Sequence, residues 1–270
     1  MADERTRVVL GTATPGGGFP LYGGAVAEVV NATDGSLAIE THNTKGSTEN
    51  VPLLEAGDLD IALVQGEVAH EALAGVGRQP AILKIVFAMY STAGMFVVRA
   101  DSAYRSIGDL RGKPVVFGAR GSGLVILARY VLDGRAAALW GGGTGWPGFT
   151  AVAQGPAGAR FVAPSADEAK RILAKHAFLK PLTVPAGGYP GQTVPIASVG
   201  SWSFILARST LADDTAYRLA RALHRAEGAL AARLEQARET TAANTVSAAP
   251  QIELIHPGAL RYLREIGLVR

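Results

Sequence analysis

The chain has 270 residues, 48% of them hydrophobic and 18% charged, a balance that fits one large or two modest folded domains and excludes disordered and fibrous classes. Its 26 Lys and Arg against 23 Asp and Glu give a net charge of only +3, and the basic residues are scattered, without the aromatic-interleaved stripes of a nucleic-acid surface. There is no cysteine, hence no disulfide or thiolate chemistry, and no apolar run reaches the roughly 18 residues of a transmembrane helix.

An apolar run, Val8-Val9-Leu10, opens the first strand. It leads into a turn carrying Thr12, Thr14 and Gly16 to Gly18, after which Leu21, Ala25, Val26 and Val29 fall at helical spacing. A strand, a glycine turn and a helix leave backbone N–H groups and the positive end of the helix dipole facing whatever lies above the strand. That is a socket for an anion or a polar small molecule, and a tight turn with glycines kept for packing is the plainer alternative. Nucleotide binding is disfavoured. Gly11 and Gly16 have phosphate-loop spacing, but Gly17 and Gly18 stand where Lys and Ser or Thr belong, and Leu21 occupies the third glycine of the dinucleotide fingerprint.

A second strand over 36–41 runs into HNTKGSTEN, where Ser47 or Thr48 can cap a helix over about 49–56 that Gly57 ends. The buried strand 60–64 delivers Gln65 and Gly66 to a loop before a short helix, 67–73. Two β-rich runs follow, 82–89 and 95–98, joined by a small polar turn at 90–94. Strands alternating with helices predict a largely parallel sheet whose ligands gather at the carboxyl ends of the strands. Residues 114–132 repeat the opening unit: strand 115–117, a turn with Gly118, Gly121, Ser122 and Gly123, then a helix from about Leu124. Two such units predict two α/β domains aiming helix N-termini at a shared cleft. Next come a short strand, 136–140, a third glycine-rich loop, 141–149, and a helix whose Ser165 and Glu168 form a capping box. The turn-rich loop 184–195 carries Tyr189. Strands at 196–199 and 204–207 precede a long helix, 211–238, with Leu219, Leu223, Leu230 and Leu234 on one face; a linker, 240–250, leads to a last helix over 257–266.

Nothing in this pattern assembles a reaction. The five histidines, at 42, 70, 176, 224 and 256, lack zinc-ligand spacing, and His70-Glu71 has no second histidine four positions on. Ser122 lies between glycines but misses the G-x-S-x-G elbow, and Asp58 and Asp60 read as a solvated turn at a strand start. No catalytic residue, metal or cofactor is expected. What recurs is neutral donors at strand ends: Thr12, Thr14, Ser47, Thr48, Gln65, Ser122 and Thr144. Lys45 and Arg120 sit in the same loops, placed to reach a carboxylate, with plain surface charge as the alternative. A charge-assisted hydrogen bond contributes about 1.5 to 3 kcal/mol and a helix N-terminus about 0.3 to 2. Together these approach the roughly 8 kcal/mol of micromolar binding.

Five stretches in order, GTATPGGGFPLYGGAVAEVVN, KGSTENVPLLEAGDLDIALVQGEVAHEAL, SIGDLRGKPVVFGARGSG, AGGYPGQTVPIASVG and HPGALRYLREIGL, together resemble the TAXI solute receptors of tripartite ATP-independent periplasmic (TRAP) transporters. The resemblance implies a type II periplasmic-binding-protein fold, two α/β lobes with a ligand cleft between them. Lobe one is expected from residues 1–96 and 200–270 and lobe two from 97–199. It further implies a non-enzymatic, monomeric receptor that captures a small organic anion or amino acid, glutamate-like or 2-oxoacid-like, by lobe closure and passes it to a membrane permease. The match puts Thr14 to Gly18, Gly46, Ser47, Gln65, Gly121 to Gly123 and Tyr189 at the cleft; Thr12, Tyr22, Lys45, Arg120 and Thr144 complete the expected ligand-binding set. The opening residues, MADERTR, lack the apolar core of a signal peptide, which by itself reads as cytoplasmic; the resemblance implies a periplasmic chain whose leader Met1 has replaced. Two departures stand out. Arg120 occupies a position the family often fills with proline or another uncharged residue, and a strand and helix usual between Leu132 and Arg135 are missing. The alternatives are a receptor of the same fold serving an ABC importer or a sensor kinase, and an enzyme on this fold, such as a transferase or a pyrimidine-precursor synthase, for which Lys45 is the candidate nucleophile.

Overall fold

The computed structural model of the protein describes residues 5–117 and 131–270. They fall into two compact units, Met1–Thr14 with Phe19–Tyr90 and Trp202–Arg270, and Pro15–Gly18 with Ser91–Ser201.

In the first unit, β1 (Thr6–Gly11) pairs in parallel with β2 (Leu37–His42) on one side and β3 (Ile61–Val64) on the other. The register sets Gly11 beside His42 and Ala62, so the three strands end side by side. The far half of β9 (Ile196–Arg208) adds antiparallel to β3, Val64 opposite Phe204. Because side chains alternate along a strand, β3 feeds two cores. Ile61 and Leu63 join α1 (Gly18–Thr33) and the C-terminal helices; Ala62 and Val64 pack with Val51 and Leu54 of α2 (Ser47–Ala56) and with Ala69 and Ala72 of α3 (Gly66–Ala74). On α1, Val26 and Val29 are buried as the spacing predicts, but Leu21 lies on the exposed face, 55% accessible.

The long C-terminal helix predicted over 211–238 is instead broken. α6 (Asp213–Arg225) stops at Ala226, and α7 (Glu227–Arg233) ends where Leu234 turns extended, φ −139° and ψ 119°. Leu219, Leu223 and Leu230 remain in the core, which is why the leucine spacing read as one helix. The expected linker is partly helical too: Thr241 caps α8 (Ala242–Ala248) by accepting from the Asn244 N–H at 3.0 Å. Threonines tie this segment to β4 (Leu83–Arg99). Thr240 donates to the Met89 carbonyl, and Thr245 accepts from the Ala88 N–H at 2.9 Å.

His256 starts α9 (Pro257–Glu265) from a buried position. Its Nδ1 accepts from the Gly258 N–H at 3.2 Å, so the ring proton sits on Nε2 and is donated to the Leu211 carbonyl at 3.1 Å. Burial lowers its pKa from the ordinary value; the Leu211 carbonyl and Asp213, 3.7 Å from Nδ1, act in the opposite direction, and Lys84 adds to the lowering. The folded state therefore binds fewer protons than the unfolded chain just below the usual histidine pKa of about 6.5, and stability rises with pH through that window. The contribution is complete above pH 6.5 and is lost as the pH falls toward the folded value. Urea midpoints measured from pH 7.5 to 5.5 should fall more steeply for the wild type than for His256→Asn; parallel curves would remove His256 as the cause.

The second unit uses the other half of β4, with β6 (Ala138–Gly142) antiparallel to it and β5 (Val115–Val116) parallel to β6. β7 (Ala159–Val162) pairs antiparallel to β4, and β8 (Lys180–Val184) with the first half of β9. The third glycine-rich loop closes into a short helix, α4 (Pro147–Ala153), and α5 (Ala166–Lys175) carries the Ser165–Glu168 capping box. The core gathers Met95, Leu139, Phe149, Val152 and Tyr189. The turn predicted at 90–94 and the break between the strands predicted at 196–199 and 204–207 are interior to β4 and β9, which run unbroken from one unit to the other in sequence. Their small residues serve close approach: a Cβ on Gly200 would lie 1.8 Å from the Thr92 carbonyl oxygen. Runs of Ser, Ala and Gly have the composition of a turn, but these are buried.

Candidate functional site

The parallel arrangement of β1, β2 and β3 brings three loops of the first unit to one edge of its sheet: the one after Gly11, the one entering α2 and the one entering α3. Gly46 is the N-cap of α2, at φ 111° and ψ −162°, a conformation open to glycine alone. Ser47, expected as a cap, is the first helical residue instead, and its hydroxyl accepts from the Gln65 N–H at 3.0 Å, joining the α2 and α3 entries. Thr12 is fully buried; its N–H donates to the His42 carbonyl at 2.9 Å and its hydroxyl to the same oxygen at 3.1 Å. Beneath them lies Asn50, with no exposed surface, whose amide donates to the Thr12 and Leu63 carbonyls at 2.8 Å each and accepts from Thr44 at 2.7 Å.

Thr14, Ser47 and Gln65 are half-buried and Gly46 is buried, so the first-unit part of the expected set, apart from Tyr22 and the exposed Lys45 side chain, clusters at these loop ends; Gly17 and Gly18 are half-buried as well. Pro15–Gly18 belongs to the second unit. Tyr22 does not line the site. It is a core residue with no exposed surface, because it shares the buried stripe of α1 with Val26 and Val30. Its hydroxyl is 3.0 Å from Thr240 Oγ1, its ring stands edge-on to Tyr90, and burial pushes its phenol pKa far up. Lys45 is 78% exposed, its Nζ 3.3 Å from Glu49 Oε1. The Glu49 carboxylate also accepts from the Lys45 N–H at 2.6 Å, which holds it below the usual carboxylate range. The lysine charge expected to meet a ligand is thus already offset by a carboxylate in the first turn of α2. Asp60, read as solvated, accepts from the Val9 N–H at 2.8 Å and pairs with Arg208 at 2.9 Å.

In the second unit the loop leaving β6 carries Thr144, half-buried. Tyr189 is buried beneath that loop and so is not an exposed binding residue. Its hydroxyl donates to the Gly143 carbonyl at 2.7 Å and accepts from the Trp146 N–H at 3.2 Å, while its ring stacks on Phe161, centroids 4.9 Å apart. Desolvation pushes its pKa up, the Trp146 N–H acting against it. Arg120, Gly121, Ser122 and Gly123 lie outside the described residues.

Asn50 and Thr44 were not legible as site residues. Asn50 is an ordinary polar residue inside a helix by sequence, and only the meeting of three strand ends over it shows its role. Among the described residues no group of three or more His, Cys, Asp or Glu stands where it could hold a metal ion, and no helix is long and apolar enough to cross a membrane. The parts that converge are hydroxyls, amides and the N-termini of α2 and α3, which are suited to holding a polar or anionic group.

The fold recurs in solved binding proteins. MatC from Rhodopseudomonas palustris with bound malate is 13% identical, over 97% of this chain and 96% of that one, at a TM-score of 0.57. The periplasmic binding protein BugD is 12% identical, over 98% and 94%, at 0.55. A structure described as a periplasmic transporter is 15% identical, over 87% of each chain, at 0.54. These likenesses give the two-lobe α/β fold of the periplasmic binding proteins. The sequence itself matches the NMT1-like family over residues 10–139 and again over 133–267, which together span most of its length, and the chain belongs to the NMT1-like family.

Proposed function

We propose that this protein is an extracytoplasmic solute receptor that captures a small organic anion or amino acid by closure of its lobes and delivers it to a TRAP-type membrane permease. The observation that carries the reading is the convergence of three loop ends, two of them helix N-termini, at the carboxyl edge of the parallel β2-β1-β3 strands. Such an edge is suited to holding a polar or anionic group. The malate held by MatC, a protein of the same fold, supports a carboxylate as cargo. Backbone N–H groups and hydroxyls of Thr14, Gly46–Ser47 and Gln65 supply the first-unit contacts in this reading, with Gly17, Gly18 and Thr144 supplying those of the second unit. Periplasmic residence follows from the same assignment.

A thermal-shift panel of amino acids, dicarboxylates, 2-oxoacids, sugars and thiamine precursors tests it. A ligand at a hundred times its dissociation constant adds about 2.7 kcal/mol, which moves the midpoint of a chain this size by roughly 5 to 10 °C. Shifts confined to carboxylates are expected. Shifts with neutral compounds alone would keep the receptor and discard the anion, and silence across the panel would reject both.

A further inference from the structure

The three loops at the carboxyl edge are not held by backbone pairing alone. Asn50, fully buried on α2, reaches all of them: its Nδ2 donates to the Thr12 carbonyl in the loop after β1 and to the Leu63 carbonyl at the end of β3, and its Oδ1 accepts from Thr44 in the loop after β2. Thr44 in turn accepts from the Gly46 N–H at 3.1 Å, immediately before α2. Gly11 makes room for this amide: a Cβ there would lie 3.1 Å from Asn50 Oδ1 and 2.4 Å from Leu59 Cδ1. Both amide hydrogens and the amide oxygen are committed to three different segments, and a buried amide satisfied in this way fixes its partners because leaving any of them unpaired is costly.

We propose that Asn50 is a positioning residue that makes the three loops one rigid ligand-binding edge, acting through Thr12, Thr44 and Leu63 without touching the ligand. The inference deepens the receptor reading and rests on it for its functional meaning, but its structural content is testable without a ligand. Hydrogen exchange of the full chain should show the amides of residues 13, 14, 16–18, 44–48 and 65–67 exchanging about tenfold faster or more in Asn50→Ala, relative to Val8 and Leu10 inside β1. Leu54→Ala, which removes a buried side chain of the same helix that packs into the core, is the control; it should leave that ratio unchanged. If Asn50→Ala does not fold, Thr44→Val removes one arm with little change of shape and should loosen 44–48 and 13–18 together, with Thr44→Ser behaving as wild type. Acceleration confined to a single loop, or equal acceleration in the Leu54→Ala control, would overturn the proposal. Titration with L-malate then separates the two readings. A tenfold or greater loss of affinity in Asn50→Ala is expected where the wild type binds; loops that loosen together in Asn50→Ala while the wild type binds no panel compound would count against the receptor reading alone.

Discussion

Gly200→Ala is expected to be among the most destabilising single substitutions in the second unit. The added methyl would sit 1.8 Å from the Thr92 carbonyl oxygen and 2.7 Å from its carbon, and backbone cannot rotate aside as a side chain can. Overpacking a well-filled site costs about 1 to 3 kcal/mol, and an obstacle made of main chain puts this change at about 3 kcal/mol or more. For a chain of this length that is a fall of roughly 6 to 12 °C in the thermal midpoint. The neighbouring Ala197→Gly, at an exposed position of the same strand, supplies the comparison, since it lowers strand propensity without touching Thr92. A Gly200→Ala protein melting within a degree of the wild type would mean that β4 and β9 do not approach so closely there.

Phe149→Ala should cost about 3 to 5 kcal/mol, the range for removing a fully buried phenylalanine. Phe149 has no exposed surface, and its ring lies 6.0 Å from Phe161, 5.7 Å from Tyr189 and 6.4 Å from Trp146 between centroids. These are the rings beneath the Gly141–Trp146 loop, and Tyr189 is the one that anchors the loop through Gly143 and Trp146. Denaturant unfolding should therefore show an early loss of the second unit, with the near-ultraviolet aromatic signal of the folded protein reduced before unfolding begins. Phe149→Leu retains most of the volume and is expected to lose less than half as much. Equal costs for the two substitutions would mean that the aromatic cluster is not what fills this core.

Local signals were legible wherever the deciding contacts are short-range. The capping box at Ser165 and Glu168, the left-handed Gly57 that ends α2 and the buried run at 61–64 each depend on residues within a few positions of one another. The same logic misread the middle of β4 and β9, because Gly94 and Gly200 are small for the sake of a strand that is distant in sequence. It also fused α6 and α7, since leucine spacing reports which side faces the core and not whether the backbone stays helical past Ala226.

For the site, the sequence by itself determined that glycine turns lead from strand ends into helices and that threonine, serine and glutamine donors gather there, because turn chemistry and helix entry are written in adjacent residues. Only the tertiary structure decided which of those residues face inward to the core. Tyr22 and Tyr189 have hydroxyls that suit a ligand, yet both are buried and spend them on Thr240 and on the Gly143–Trp146 loop. Conversely, Asn50 looks like any helical asparagine until parallel pairing of β1 with β2 and β3 sets three carboxyl ends over it. The physical reason is common to all three: a buried polar group takes its meaning from the partners that satisfy it, and those partners lie 6 to 218 residues away in the chain.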